Sequence, residues 1–112
     1  MDPSALSSED KRSWRLNAAA IAHACADWNS ARRIITRNLD RMDRERRVAP
    51  AYVSRCRDLV KQGPVAMKAA FLEVSDEGQA LRSVHPWAGL LPNAERLAIL
   101  RETRRASEHE PR

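Results

Sequence analysis

The chain has 112 residues, 43% hydrophobic and 4% aromatic, with 20 Lys/Arg against 15 Asp/Glu. That length holds one domain with a modest core and not two, and without any apolar run of roughly 18 residues the chain lacks a segment able to cross a bilayer. Residues 32–61 carry ten Lys/Arg against four Asp/Glu, so the whole positive excess of the chain sits in its middle third, and a local basic patch points to an anionic partner, of which nucleic acid is the commonest.

Ser8 to Arg47 contains neither Pro nor Gly, and its pattern predicts one long helix. Ser7 with Asp10 has the spacing of a capping box at its start. Trp14, Ile21, Trp28, Ile35 and Met42 recur every seven residues, and Ala18, Cys25 and Leu39 fill the adjoining row, which makes a continuous apolar stripe. Arg33, Arg37, Arg41 and Arg44 project to the opposite side, with Asp40, Asp43 and Glu45 nearby as local ion-pair partners. Ala19, Ala22 and Ala26 occupy the back of the first half, where small residues allow another helix to come close. Asn29 and Ser30 are able to cap a new helix, but the heptad phase runs through them and favours continuity. The helix should end near Arg46 and Arg47, whose charges suit its carboxyl end, with Pro50 disfavouring helix at Ala49.

Residues 51–62 repeat the helical pattern, with Tyr52, Val53, Cys56, Leu59 and Val60 on one face. Gly63 stops that helix and Pro64 opens the next, which is apolar nearly all round from Ala66 to Val74 and reads as central. Ser75, Asp76 and Glu77 look like the cap and acidic first turn of a short helix carrying Ala80 and Leu81. Ser83 to Pro92, SVHPWAGLLP, is too rich in Pro and Gly for helix and too apolar for a free loop; it must plug into a core or a partner. Asn93 should cap a last helix carrying Leu97, Ile99 and Leu100. There is no internal repeat and no strand alternation. The fold expected is all-α: a compact bundle of four to six helices built on one long N-terminal helix, a single domain over 1–112 with 1–7 and 106–112 frayed. Ile21, Trp28, Ile35, Leu39, Leu59, Phe71 and Leu97 are its expected core, and the length of the heptad stripe raises a homodimer.

The chemistry-bearing residues do not assemble into a motif. His23 and Cys25 are about 200° apart on a helix and cannot share a metal; His85 and His109 have no spaced thiols or carboxylates beside them. The three glycines, Gly63, Gly78 and Gly89, make no phosphate-cradling loop, and Ser83 near His85 is an accident of sequence. The reading is therefore non-enzymatic, with no cofactor, metal or small-molecule substrate. Cys25 and Cys56, lone cysteines on helical apolar positions with no secretory leader ahead of them, read as buried reduced thiols of a cytoplasmic protein.

Arginines along a helix, without interleaved aromatic residues, suit phosphate contact more than base reading. The function expected is a basic, nucleic-acid-associated protein that contacts RNA or DNA backbone without sequence specificity through Arg33, Arg37, Arg41, Arg44, Arg47 and Arg55, as an accessory subunit of a larger protein or ribonucleoprotein. In size and charge alone the chain is similar to the small helical accessory subunits of RNA-guided ribonucleoprotein complexes, a likeness that assigns no residue. Two alternatives compete. One is a helical protein-interaction module (dimer, adaptor or inhibitor) docking through Trp87, Leu90 and Leu91. The other is a helix-turn-helix regulator built on residues 51–74, against which stands a second helix offering base edges only Lys68 and Glu73.

Overall fold

A straight helix of forty residues would run about 60 Å, and the long axis of the molecule measures 41 Å. The chain resolves the conflict at Asp27. The computed structural model describes residues 6–109, with side chains through 106, and in it the expected long helix is two: α1, Ser8–Ala26, and α2, Trp28–Glu45. Asp27 leaves helical conformation (φ −145°, ψ 77°) and its carboxylate accepts the Ser30 N–H at 3.3 Å, capping α2. The break thus falls ahead of Asn29 and Ser30, and Ser30 supplies the capped donor. A strict seven-residue row drifts about 20° per heptad on a straight helix; a break lets each half re-aim its share of the stripe.

Four further helices follow: α3 Pro50–Gln62, α4 Pro64–Leu72, α5 Asp76–Val84 and α6 Asn93–His109. Among the described residues the protein is all-α, without a strand. Several local signals work as their chemistry dictates. Ser7 Oγ accepts the Asp10 N–H, Ser75 Oγ accepts the Gly78 N–H, and Gly63 (φ 111°) closes α3 while Pro64 opens α4. At the end of α2, Arg47 N–H donates to Met42 O and Arg46 N–H to Asp43 O. That is the Schellman pattern, with Arg46 (φ 54°) in the left-handed position that glycine usually fills. Residues 106–109, expected to fray, belong to α6; residues 1–5 and 110–112 lie outside the described residues.

The core joins Ile21 of α1, Ile35 and Leu39 of α2, Val53, Cys56 and Leu59 of α3, Met67 and Phe71 of α4 and Leu81 of α5. Helix α1 packs on α4, α5 and α6, while α3 packs on α2, α4 and α5. The chain's own helices thereby cover the stripe at Ile21, Ile35 and Leu39, and only in part at Trp28 and Met42. The close approach to α1 uses Ala20 and Ala24, both buried, whereas Ala22 and Ala26 are exposed. Helix α4 ends without a left-handed residue, so its last carbonyls need side-chain donors. Arg82 Nη1 donates to Phe71 O and Glu73 O, and Trp14 Nε1 donates to Leu72 O. Gly78 is required there: a Cβ on it would stand 2.0 Å from Glu73 O.

The apolar segment after α5 is a plug. Trp87 is 1% exposed and meets Phe71 edge-to-face at 5.0 Å, its Nε1–H donating to Asn17 Oδ1 at 2.6 Å. Leu90 N–H returns to Trp87 O at 2.8 Å, with Gly89 (φ 93°) at the third position, as a type II turn requires. Trp87 consequently offers no anchor to a partner, and Leu90 and Leu91 are partly buried against the same core.

Three core expectations are corrected. Leu97 is 37% exposed because α6 turns Ile99 and Thr103 inward, and two residues on a helix is about 200° of rotation. Trp28 is only partly buried. Cys25 is exposed at the end of α1, two residues before the break at Asp27, while Cys56 is buried. Burial pushes the Cys56 thiol up to about 11, against a smaller opposing effect of Arg55. One thiol per native chain should therefore react with a disulfide reagent near neutral pH, and the second only in denaturant; two fast thiols would contradict the packing of α3. Phe71→Ala should cost about 3 to 5 kcal/mol and Leu97→Ala about 1 kcal/mol or less, as read from denaturant midpoints.

Candidate nucleic-acid interface

Helix α2 carries its charge on the side turned from the core. Ile35, Asn38 and Leu39 are buried, and Arg33, Arg37, Arg41 and Arg44 are all exposed. Consecutive members are three or four residues apart, so their Cβ atoms succeed one another every 5 to 6 Å or so along the helix. Their expected acidic partners are engaged elsewhere. Asp40 accepts from Arg57 of α3 at 2.6 Å, Asp43 pairs with the same guanidinium at 3.8 Å, and Glu45 pairs with Arg47 at 2.7 Å. Among the described residues the side chains of the four ladder arginines form no ion pair and no hydrogen bond. A guanidinium in that condition keeps all five donors for a ligand.

The two extensions of the ladder do not join it as expected. Arg47 is compensated by Glu45, and Arg55 faces Glu77 at 3.6 Å in a depression between α3 and α5 that also holds Glu73. Both pairs are surface pairs of small energy, but they neutralise the local field. What replaces them lies at the other end of α2. A groove of about 710 Å³ opens between α2 and α3, with Trp28, Arg32, Thr36 and Asp40 along one row, Arg33 and Arg37 beside them, and Val60 and Lys61 opposite. Its charge is four cations against Asp40, which is already bonded to Arg57.

Arg32, Lys61 and Trp28 are the residues that sequence reasoning passed over. For Arg32 a signal exists, since Trp28, Arg32, Thr36 and Asp40 are spaced by four and share a face; the heptad row instead assigns Trp28 to the core stripe. Lys61 carried no signal, because its place opposite Arg33 depends on α3 folding back along α2.

The plug after α5 also supports this surface. Asn38 Nδ2 donates to Pro86 O at 3.0 Å and to Ala88 O at 2.9 Å, binding the loop to the buried side of α2. Gly89 then comes beside Arg37, near enough that a Cβ there would lie 3.8 Å from Arg37 Nη2 and from Ile34 Cγ2. The loop thus backs the middle of the ladder.

Other chemistry is sparse. Among the described residues no group of three or more His, Cys, Asp or Glu is placed to hold a metal ion, and no helix is long and apolar enough to cross a membrane. His23 pairs with Glu95 of α6 at 2.6 Å. Helix α4, the second element of the helix-turn-helix alternative, turns Met67 and Phe71 inward and leaves Val65, Lys68 and Ala69 outside, a poor set of donors and acceptors for base edges. No protein-family model, no curated protein and no solved structure matches the chain.

Asn38→Ala should leave two loop carbonyls without their donor, at a cost of about 1 to 3 kcal/mol. Hydrogen exchange of residues 86–90 should quicken in the variant; unchanged exchange there would disconnect the loop from α2.

Proposed function

We propose that this protein binds nucleic acid through its phosphate backbone, without sequence preference and without catalysis, as an accessory subunit whose larger protein or ribonucleoprotein partner supplies specificity. The observation that carries the reading is the exposed row Arg33, Arg37, Arg41 and Arg44, left unpaired because Asp40, Asp43 and Glu45 are held by Arg57 and Arg47. Acidic residues three or four places away on a helix are able to pair with surface arginines. Here those neighbours are present but paired with other guanidinium groups, so the row keeps a net positive field. A cytoplasmic setting goes with this reading, since an exposed free Cys25 persists most readily where thiols are kept reduced.

The protein-interaction alternative draws no comparable support. Its anchor, Trp87, lies in the core, and the large exposed apolar side chains Tyr52, Val65 and Leu97 sit on three different helices.

Each arginine that neutralises a phosphate releases counterions, so affinity falls with salt by a log–log slope of about 0.7 to 0.9 per contact. Titration of labelled single-stranded RNA and duplex DNA should give a slope of about −3, from three or four contacts. The double variant Arg37→Glu, Arg41→Glu should lose most of that affinity and flatten the slope while keeping the melting temperature, because both side chains are exposed and unpaired. Binding unchanged in the double variant would move the function away from α2.

A further inference from the structure

The three tryptophans are in different circumstances. Trp14 gives its indole N–H to Leu72 O, and Trp87 gives its own to Asn17 inside the core. The Trp28 indole N–H has no hydrogen-bond partner among the described residues, and the ring is only partly buried and lines the groove between α2 and α3. It is the first residue of α2, one turn before Arg32, with Arg33 and Arg37 following and Lys61 on the facing helix.

We propose that this groove takes an unpaired nucleic-acid strand, one base stacking on Trp28 while Arg32, Arg33, Arg37 and Lys61 hold the phosphates on either side. The proposal deepens the nucleic-acid reading above and rests on it. Its first ground is the pairing of an accessible aromatic surface with flanking cations, the two components by which single strands are bound without sequence preference. The second is space: an open groove of about 710 Å³ has room for one base and its sugar. The third is charge. Of the groove's five charged side chains only Asp40 is negative, and Arg57 holds it from the α3 side.

A duplex presents its phosphates to the arginine row, but its base faces are already stacked on one another and closed to an indole. The groove therefore separates the two forms of nucleic acid where the row alone does not. An acidic peptide would satisfy the cations and leave the indole unused, which makes Trp28 the discriminating residue.

The test compares a labelled oligouridylate with a duplex of equal length at one salt concentration, in the wild type and in Trp28→Leu, Trp28→Phe and Lys61→Glu. The single strand should bind the wild type several-fold more tightly and quench its tryptophan emission. Trp28→Leu should weaken single-strand binding by about tenfold, abolish most of the quenching, and change duplex binding less than twofold; Trp28→Phe should restore most of the affinity. Lys61, exposed on α3 and outside the core, keeps the proposal testable if Trp28→Leu unfolds: Lys61→Glu should weaken the single strand more than the duplex. Equal affinity for strand and duplex without quenching, in a protein still sensitive to Arg37→Glu, would overturn the stacking site and leave the backbone reading standing. Polyglutamate competing as well as the oligonucleotide, with Trp28→Leu indistinguishable from wild type, would overturn it in favour of an acidic protein partner. No binding of either nucleic acid at low salt would remove both readings.

Discussion

The seating of Trp87 governs how this bundle closes. Its ring meets Phe71 edge-to-face, and its N–H is held by Asn17, which itself donates to Ser13 O at 2.8 Å and Arg82 O at 3.4 Å. An aromatic pair of this geometry contributes roughly 0.5 to 1.5 kcal/mol beyond the area it buries. More consequential is the polar half of the contact. A buried indole N–H or amide without a partner is costly, so Trp87 and Asn17 are each admitted to the core only in the presence of the other. Through them α1, α4, α5 and the segment after α5 are tied at one point.

The same economy of donors recurs at the edges of the core. Helix α4 lacks a capping residue at its carboxyl end, and Trp14 and Arg82, from the helices on either side, supply what the local sequence does not. Asn38 does for the loop carbonyls what Asn17 does for Trp87. Because the buried face of α2 is fixed in this way, its outer face has a defined direction, and Gly89 stands behind Arg37. The charged surface owes its form to polar groups that never reach solvent.

Much of the helical layout was legible in the sequence because its signals are local: the Ser7 and Ser75 caps, the Gly63–Pro64 junction and the 3.6-residue pattern of α3 each act within a turn or two. The break at Asp27 was harder. An unbroken heptad row argued for continuity, and only the size of the whole molecule shows that forty residues of straight helix do not fit. Leu97 and Cys25 were misplaced because apolar character alone does not say which face of a helix finds a neighbour. Asn17 and Asn38, polar residues inside apolar rows, were the overlooked clue, since such a position demands a partner from elsewhere in the chain. The ladder from Arg33 to Arg44 was readable from spacing. The desertion of its acidic neighbours to Arg57 was not, as it depends on α3 lying back along α2.

The order in which the polypeptide is made adds a last consequence. Asn17 and Trp87 are 70 residues apart, and Asn38 and Pro86 are 48 apart. Helices α1 to α5 can form from contacts within a turn or two, whereas the site that Trp87 fills cannot close before residue 87 has been made. Until then Phe71 lacks its edge-to-face neighbour and Asn17 Oδ1 its indole donor. Seating the indole is therefore a long-range closure opposed by chain entropy, set in a bundle whose helices otherwise depend on local contacts.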